Sequence, residues 1–426
     1  MKITFPQDVT PSMVIHIKDE RFGLIGYVVV DRTVNGSASG GVRYAQDVSV
    51  DELSNLARAM TYKWAFLNRS MGGAKGGIIV NEQTLGVPRA ELMQAFGRAI
   101  APLIQHSVYL PGVDLGTTLS DLREIMRGAG KPLPESQIDG SQATAMTAFE
   151  TIQQLFAVNE TSVAGKRVAL EGFGKVGGYL AQLLQGVGAV IVALSTIAGG
   201  LYNKAGLDIE ELLRLRETFG DDLIHHYQNA DCIDSDAIYT VDVDLLVPGA
   251  RTAVIHEGNA ASIRARWIVP VANYPITPPA EKVLLERGVC ILPDFVANSG
   301  GIMASAMWSN SFDIEDVQHY IETCYAELLR ELFLKAKKIQ QPVTLLARQV
   351  AWENHLRLNQ GQQTAQGFML RLAKVRQSGI SIITRRVAWR LHQRGVQGKY
   401  IKSLALESYA EMTVSQLYSI IDKMSS

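Results

Sequence analysis

The chain has 426 residues, of which 47% are hydrophobic and 19% charged, with a formal net charge of -1. That length supports two or three domains with a sizeable core, and the composition is that of a globular protein rather than a disordered or fibrous one. No apolar run reaches the length of a membrane span, which excludes a transmembrane protein from the readings of this sequence.

Taken in chain order, Met1 to Asp8 lacks the apolar core of a signal peptide. Residues 12 to 30 alternate in a strand-like way through Met13–Ile17 and Leu24–Val30. Asn35-Gly36 and Gly40-Gly41 read as turns. A helix is predicted from about Val50 to Asn68, opened by Ser49 and Glu52 at capping-box spacing. Its apolar stripe runs Leu53, Leu56, Met60 and Leu67, and Lys63 falls on that stripe. A lysine there either has a partner or reaches past the edge of the core, and both readings stand at this point.

Next comes Gly72-Gly73-Ala74-Lys75-Gly76-Gly77, one lysine in a cradle of glycines and an alanine, leading into the apolar strand Ile78–Val80. Glycine lets a backbone or a ligand approach closely. Desolvation lowers the pKa of an ammonium group toward the range useful for acid-base work, so Lys75 is a candidate catalyst as well as a solvated turn residue. A helix follows over Arg89 to Ile104, then the loop Pro111–Thr118, in which Asp114 taken alone reads as a turn or cap residue.

The second half has another rhythm. Ala143 to Phe156 reads as a helix and Arg167–Glu171 as a short strand. Gly172-Phe173-Gly174-Lys175-Val176-Gly177 follows at once, then a helical pattern through Val187, then the apolar strand Ala189–Ser195. A GxGxxG between a strand and a helix, with a further strand beyond, is a dinucleotide-binding signature, because the helix N-terminus can meet a pyrophosphate. The end of the second strand holds Ser195-Thr196-Ile197, without the acid that marks NAD binding and without an arginine for a 2'-phosphate. Strand-like segments at Val243–Pro248, Trp267–Asn273 and Val289–Pro293 complete an α/β alternation. Beyond Asn298-Ser299-Gly300-Gly301 the chain is helical, with one long segment from Ile314 to Lys338 and another from Val343 to Leu356.

Gln360–Gly367 reads as a linker. Leu356 to Leu406 holds ten of the 41 basic residues and none of the 42 acidic ones. This basic tail is a separate electrostatic object: a solvated helix against an acidic body or neighbouring subunit, with nucleic-acid or membrane-surface contact as the other reading. The three cysteines, Cys232, Cys290 and Cys324, have neither metal nor redox spacing, and no histidines form a ligand pair, so no metal is predicted and a reducing cytoplasm is the assignment.

With these landmarks in order, the chain resembles the Glu/Leu/Phe/Val dehydrogenases from about Val14 to Leu356. The resemblance rests on Gly40-Gly41-Val42-Arg43, Lys63, Met71 to Gly77, Asp114-Leu115-Gly116-Thr117, Thr147-Ala148, Gly172 to Gly177, Ala272-Asn273 and Asn298 to Gly301. The short N-terminus and the Asp-Leu-Gly-Thr-Thr wording are more similar to leucine and phenylalanine dehydrogenases than to glutamate dehydrogenase. The resemblance implies an α/β protein of two domains. Residues 1–138, completed by helices at about 325–358, would form a substrate and oligomerisation domain with a mixed sheet. Residues 139–324 would form a doubly wound Rossmann cofactor domain, and 359–426 a basic helical extension.

The implied reaction is reversible oxidative deamination of an L-amino acid to a 2-oxo acid and ammonia with NAD or NADP, by a homo-oligomer. By the same resemblance Lys75 and Asp114 are catalytic, and Lys63 binds the substrate carboxylate. Gly72, Gly73, Ser39 and Ser305 line the substrate. Thr147, Gly172, Phe173, Gly174, Lys175, Val176, Gly177, Thr196, Asn273 and Asn298 hold the cofactor. Ser39 stands where glutamate dehydrogenases carry the lysine for the side-chain carboxylate, and a buried carboxylate without a cation is costly. An apolar substrate of the leucine, valine, phenylalanine or tryptophan type is therefore predicted. Glutamate dehydrogenase and a silent dinucleotide-binding regulator are the alternatives.

Overall fold

A computed structural model of the chain describes residues 10–133, 139–308 and 313–360. The readings for the N-terminal eight residues, the exact boundary near 138 and the chain beyond 360, basic tail and linker included, fall largely or wholly outside those residues. The described chain divides into two units, one of residues 10–133 with 348–360 and one of 139–347.

The first unit runs β1 (Met13–Asp19), β2 (Leu24–Arg32), β3 (Ala38–Ala45), α1 (Val50–Phe66), β4 (Gly72–Ile79), α2 (Glu82–Leu85), α3 (Arg89–Ala99), α4 (Ala101–Gln105), β5 (Tyr109–Val113) and α5 (Leu119–Gly128). Its sheet has the order β1-β2-β4-β3-β5. It is mixed: β1, β2 and β4 pair antiparallel, while β3 pairs parallel with β4 and β5. One core gathers Val28, Val42, Ala74 and Ile78 from the strands with Leu92, Phe96, Ile125 and Met126 from α3 and α5.

Two expectations are corrected here. The lysine cradle is not a glycine turn with a solvated lysine but the central strand β4, and Gly40-Gly41 lies inside β3 rather than at a turn. The glycines mark close approach. A Cβ at Gly73 would sit 2.2 Å from the Ala57 carbonyl oxygen and the Thr61 amide nitrogen of α1, and one at Gly40 would sit 1.7 Å from the Ala74 carbonyl oxygen. The helix predicted over Arg89–Ile104 breaks at Ile100, where Pro102 opens α4. Pro111 is accommodated because β5 is an edge strand.

The second unit runs α6 (Gly140–Val158), β6 (Arg167–Glu171), α7 (Lys175–Gly186), β7 (Val190–Thr196), β8 (Gly199–Tyr202), α8 (Ile209–Phe219), β9 (Asp231–Ile233), β10 (Leu245–Pro248), α9 (Glu257–Ala260), β11 (Trp267–Ile268), α10 (Pro278–Glu286), β12 (Cys290–Ile291), α11 (Asp294–Ala297), α12 (Gly300–Trp308), α13 (Ile314–Tyr320) and α14 (Ala326–Ile339). The last helix, α15 (Val343–Asn359), begins here and ends among the residues of the first unit. The sheet order is β12-β11-β10-β6-β7-β8-β9, with β12 to β7 parallel and β8 and β9 antiparallel. This is a doubly wound arrangement in which an antiparallel pair replaces one outer parallel strand. The predicted long helix over 314–338 is interrupted by a π-turn at Ile321–Tyr325 between α13 and α14.

Candidate functional site

Side chains alternate along β4, so Ala74 and Ile78 enter the core while Gly73, Lys75 and Gly77 face α1. Lys75 is thereby buried at 2% exposure. Its Nζ lies 2.9 Å from Oδ1 of Asp114, just beyond β5, so the structure joins two candidates that are 39 positions apart in sequence. The other carboxylate oxygen, Oδ2, accepts from Nε of Arg43 on β3 at 3.0 Å. Arg43 also forms an ion pair with Glu52 in the first turn of α1. Charges thus alternate along a buried row: Lys75, Asp114, Arg43, Glu52.

The loop carrying Asp114 is clipped to β3. The Asp114 amide donates to Thr117 Oγ1 at 2.9 Å, Thr117 Oγ1 donates to the Val42 carbonyl at 2.8 Å, and the Tyr44 amide donates to the Leu115 carbonyl at 3.0 Å. Gly116 has φ +76°, and a Cβ there would lie 2.0 Å from the Tyr44 carbonyl oxygen. Burial alone would raise the Asp114 pKa, but the charges and hydrogen bonds of Lys75 and Arg43 outweigh it and hold the carboxyl below its ordinary value.

Lys63, near the C-terminal end of α1, is buried at 4% exposure. Ser39 on β3 donates its hydroxyl to the Leu110 carbonyl at 2.9 Å, so that group is used within the sheet. Gly72 and Gly73 are accounted for by packing: the space of their side chains is filled by the Arg32–Thr33 backbone and by α1. Ser305 belongs to the second unit, on α12, and is exposed.

In the second unit the glycine fingerprint has three distinct geometries. Gly172 takes φ +91°, and a Cβ on Gly177 would stand 2.2 Å from the Gly172 carbonyl oxygen. Gly174 caps α7, has open space where a side chain would be, and leaves the helix N-terminus without a side-chain cap. No acid lies in the first turn of α7, so its amides and positive dipole end fit a pyrophosphate. Phe173 is buried, and Lys175 forms an exposed 2.8 Å ion pair with Asp139, while Val176 is half-buried in the first turn. Thr196 ends β7 with its hydroxyl donated to the Asp221 carbonyl at 2.8 Å, and Ile197 beside it is 86% exposed.

Asn298 and Asn273 are brought together: Asn298 Nδ2 donates to Asn273 Oδ1 and to the Val271 and Ala272 carbonyls, each at 3.1 Å. Thr147 on α6 accepts from the Gly300 amide at 3.0 Å and is fully buried.

The site includes residues that sequence reasoning left without a role. Arg43 closes the Gly40-Gly41-Val42-Arg43 motif, and the spacing of Glu52 from Ser49 signals a helix cap and nothing more. A charged residue two positions past a buried double glycine was the available signal. Glu171, at the end of β6, is likewise buried, accepting from the Gly249 and Ala250 amides at 2.7 and 2.8 Å. Burial pushes its pKa up against these donors and Tyr239. Among the described residues no helix is long and apolar enough to cross a membrane, and no cluster of three or more His, Cys, Asp or Glu side chains could hold a metal ion.

Comparison with known proteins covers both units. Residues 137–362 match the Glutamate/Leucine/Phenylalanine/Valine dehydrogenase family, and residues 11–130 match the Glu/Leu/Phe/Val dehydrogenase dimerisation domain. A glutamate dehydrogenase of Thermotoga maritima is 31% identical over 350 residues, covering 77% of this chain and 82% of its own. The leucine-bound hetero-hexameric glutamate dehydrogenase of Thermus thermophilus superposes with a TM-score of 0.72 at 26% identity, covering 83% of this chain and 91% of that one. The L-tryptophan dehydrogenase of Nostoc punctiforme shares the fold with a TM-score of 0.58 at 22% identity, over 82% of this chain and 96% of that one.

Proposed function

The chain belongs to the Glu/Leu/Phe/Val dehydrogenase family, oxidoreductases that act on amino acids with NAD or NADP, and on that premise we propose that it oxidatively deaminates an apolar L-amino acid to its 2-oxo acid and ammonia. The observation that carries the reading is the buried 2.9 Å contact between Lys75 and Asp114.

A bound nicotinamide supplies the acceptor for the substrate's α-hydrogen. The chain supplies the rest. Lys63 binds the α-carboxylate and so orients the α-carbon. Lys75 Nζ passes its proton to Asp114 and then takes one from the water that attacks the iminium carbon, while Asp114 delivers the proton it received to the departing amine. Their contact gives the proton a direct path between the two groups. The uncapped N-terminus of α7 would hold the pyrophosphate, with Gly172 to Gly177 shaping the turn, Thr147 and Asn273 would hold the nicotinamide side, and Thr196 and Asn298 would contribute to the rest of the cofactor's binding.

Ser39 supports an uncharged side chain in the substrate, since its hydroxyl is already donated to Leu110 and it brings no cation. Glutamate is the second reading, favoured by the 31% identical Thermotoga maritima enzyme. The match to a dimerisation domain supports a homo-oligomer assembled through residues 11–130.

The test is a panel of L-amino acids incubated with NAD or NADP, following absorbance of the reduced cofactor. Turnover of leucine, valine, phenylalanine or tryptophan is expected. Turnover of glutamate alone would overturn the substrate assignment. No turnover of any amino acid by folded protein would favour the silent dinucleotide-binding reading.

A further inference from the structure

We propose that Arg43 is a positioning residue for the reaction, holding Asp114 ionised and aimed at Lys75, with Glu52 setting how strongly it does so. This rests on the function proposed above. Asp114 has two carboxylate oxygens with different partners: Oδ1 faces Lys75 at 2.9 Å and Oδ2 faces Arg43 Nε at 3.0 Å. If Lys75 were the single partner, the carboxylate could rotate about its own bond and exchange oxygens. Arg43 fixes one oxygen and leaves the other for proton exchange with the amine and Lys75.

An arginine suits that task because it stays protonated across the working range and offers a planar fork of donors. One arm of the fork serves Asp114 and another serves Glu52, so Arg43 is held from both ends. Arg43 and Asp114 are also fixed through the backbone, as the Thr117 hydroxyl ties the Asp114 loop to Val42, the neighbour of Arg43. The side chains of Arg43, Glu52 and Asp114 are exposed by only 7%, 18% and 11%, so solvent screens this row weakly.

Charged and titratable groups reach Asp114 from each neighbouring strand. Lys75 comes from β4, Arg43 from β3 with Glu52 of α1 behind it, and Tyr109 from β5. Tyr109 donates its hydroxyl to the Gly40 carbonyl at 3.0 Å and is fully buried, which raises its pKa beyond the working range. The row therefore makes a signed prediction. Removing the Arg43 charge leaves Asp114 easier to protonate. Removing the Glu52 charge leaves Arg43 uncompensated and makes Asp114 harder to protonate.

The experiment is the pH profile of kcat/KM for wild type, Arg43→Gln, Arg43→Lys and Glu52→Gln, using the best amino acid of the panel and saturating cofactor. Thermal unfolding of each variant is measured alongside. In Arg43→Gln the acid limb should move up by about one pH unit, with kcat lower by about tenfold or more. In Glu52→Gln the limb should move down. Arg43→Lys should restore the limb position but only part of kcat, since lysine keeps the charge and loses the fork. If Arg43→Gln fails to fold, the other two variants decide. With active wild type, limbs that stay put, or that move in one direction in both charge-removing variants, overturn the role of Arg43 alone. A wild type that turns over no amino acid overturns the proposed function itself.

Discussion

The two units make their candidate sites from opposite materials. In the first, side-chain charges do the work: Lys75, Asp114, Arg43 and Glu52 form an alternating buried row. In the second, backbone does it: α7 starts without a side-chain cap, and the turn around Gly172 and Gly174 leaves open space at its N-terminus. Two buried carboxylates show the same contrast. Asp114 faces Lys75 and Arg43, and its pKa falls below the ordinary value although burial opposes this. Glu171 faces backbone amides and Tyr239, with the Arg251 charge the weakest influence on it, and burial prevails, so its pKa rises. Two cations at hydrogen-bond distance overcome desolvation at Asp114, whereas amides, a hydroxyl and a weaker charge do not at Glu171.

The largest expected effect tests the charged side. Lys75→Ala should lower kcat by about a hundredfold or more while cofactor binding, followed by fluorescence of the reduced dinucleotide, persists. Loss of cofactor binding in that variant would break the division of labour between the units. Gly73→Ala should destabilise the fold by about 3 kcal/mol in chemical denaturation, because the new Cβ would meet the α1 backbone at 2.2 Å.

Acid stability separates the two carboxylates next. Asp114 has a lowered folded pKa, so its contribution is present above the unfolded value, near 3.8, and is lost as pH falls through the folded value. Asp114→Asn should remove that part of the acid transition in thermal unfolding across pH. Gly174→Ala makes the sharper contrast with Gly73. Its Cβ would enter open space, so stability should change by no more than about 1 kcal/mol, while the dissociation constant for the dinucleotide should increase several-fold. The smallest effect falls to Glu171→Gln. The raised folded pKa means the wild-type contribution is complete below the ordinary 4.5 and is lost as pH rises through the folded value. The variant should show a flatter thermal midpoint over that range, and an unchanged slope would remove Glu171 from the comparison.

Much of the second unit was legible because its logic is local. Arg167–Glu171, the glycine turn, the helix after it and the next strand follow one another, and each has its own period or turn chemistry. The antiparallel strands β8 and β9 were not legible, being only four and three residues long and defined by pairing rather than by pattern. In the first unit Lys63, Lys75 and Asp114 were visible as residue types, but β3 and the part of β4 before Ile78 were hidden. A strand with four glycines among its eight residues has little intrinsic propensity. It is held by pairing on both sides and by a helix that only glycine admits.

By itself, then, the amino-acid order determined the α/β alternation, the dinucleotide turn and the succession of family motifs, since all three depend on neighbours within a few residues. The tertiary structure alone decided that the glycine-flanked Lys75 sits on a central strand, that Asp114 lies 2.9 Å from it, and that Arg43 and Glu52 extend the pair into a row. Arg43 and Asp114 are 71 residues apart, and only the parallel pairing of β3 with β5 brings them to one place. No local pattern encodes a charge that is completed from another strand.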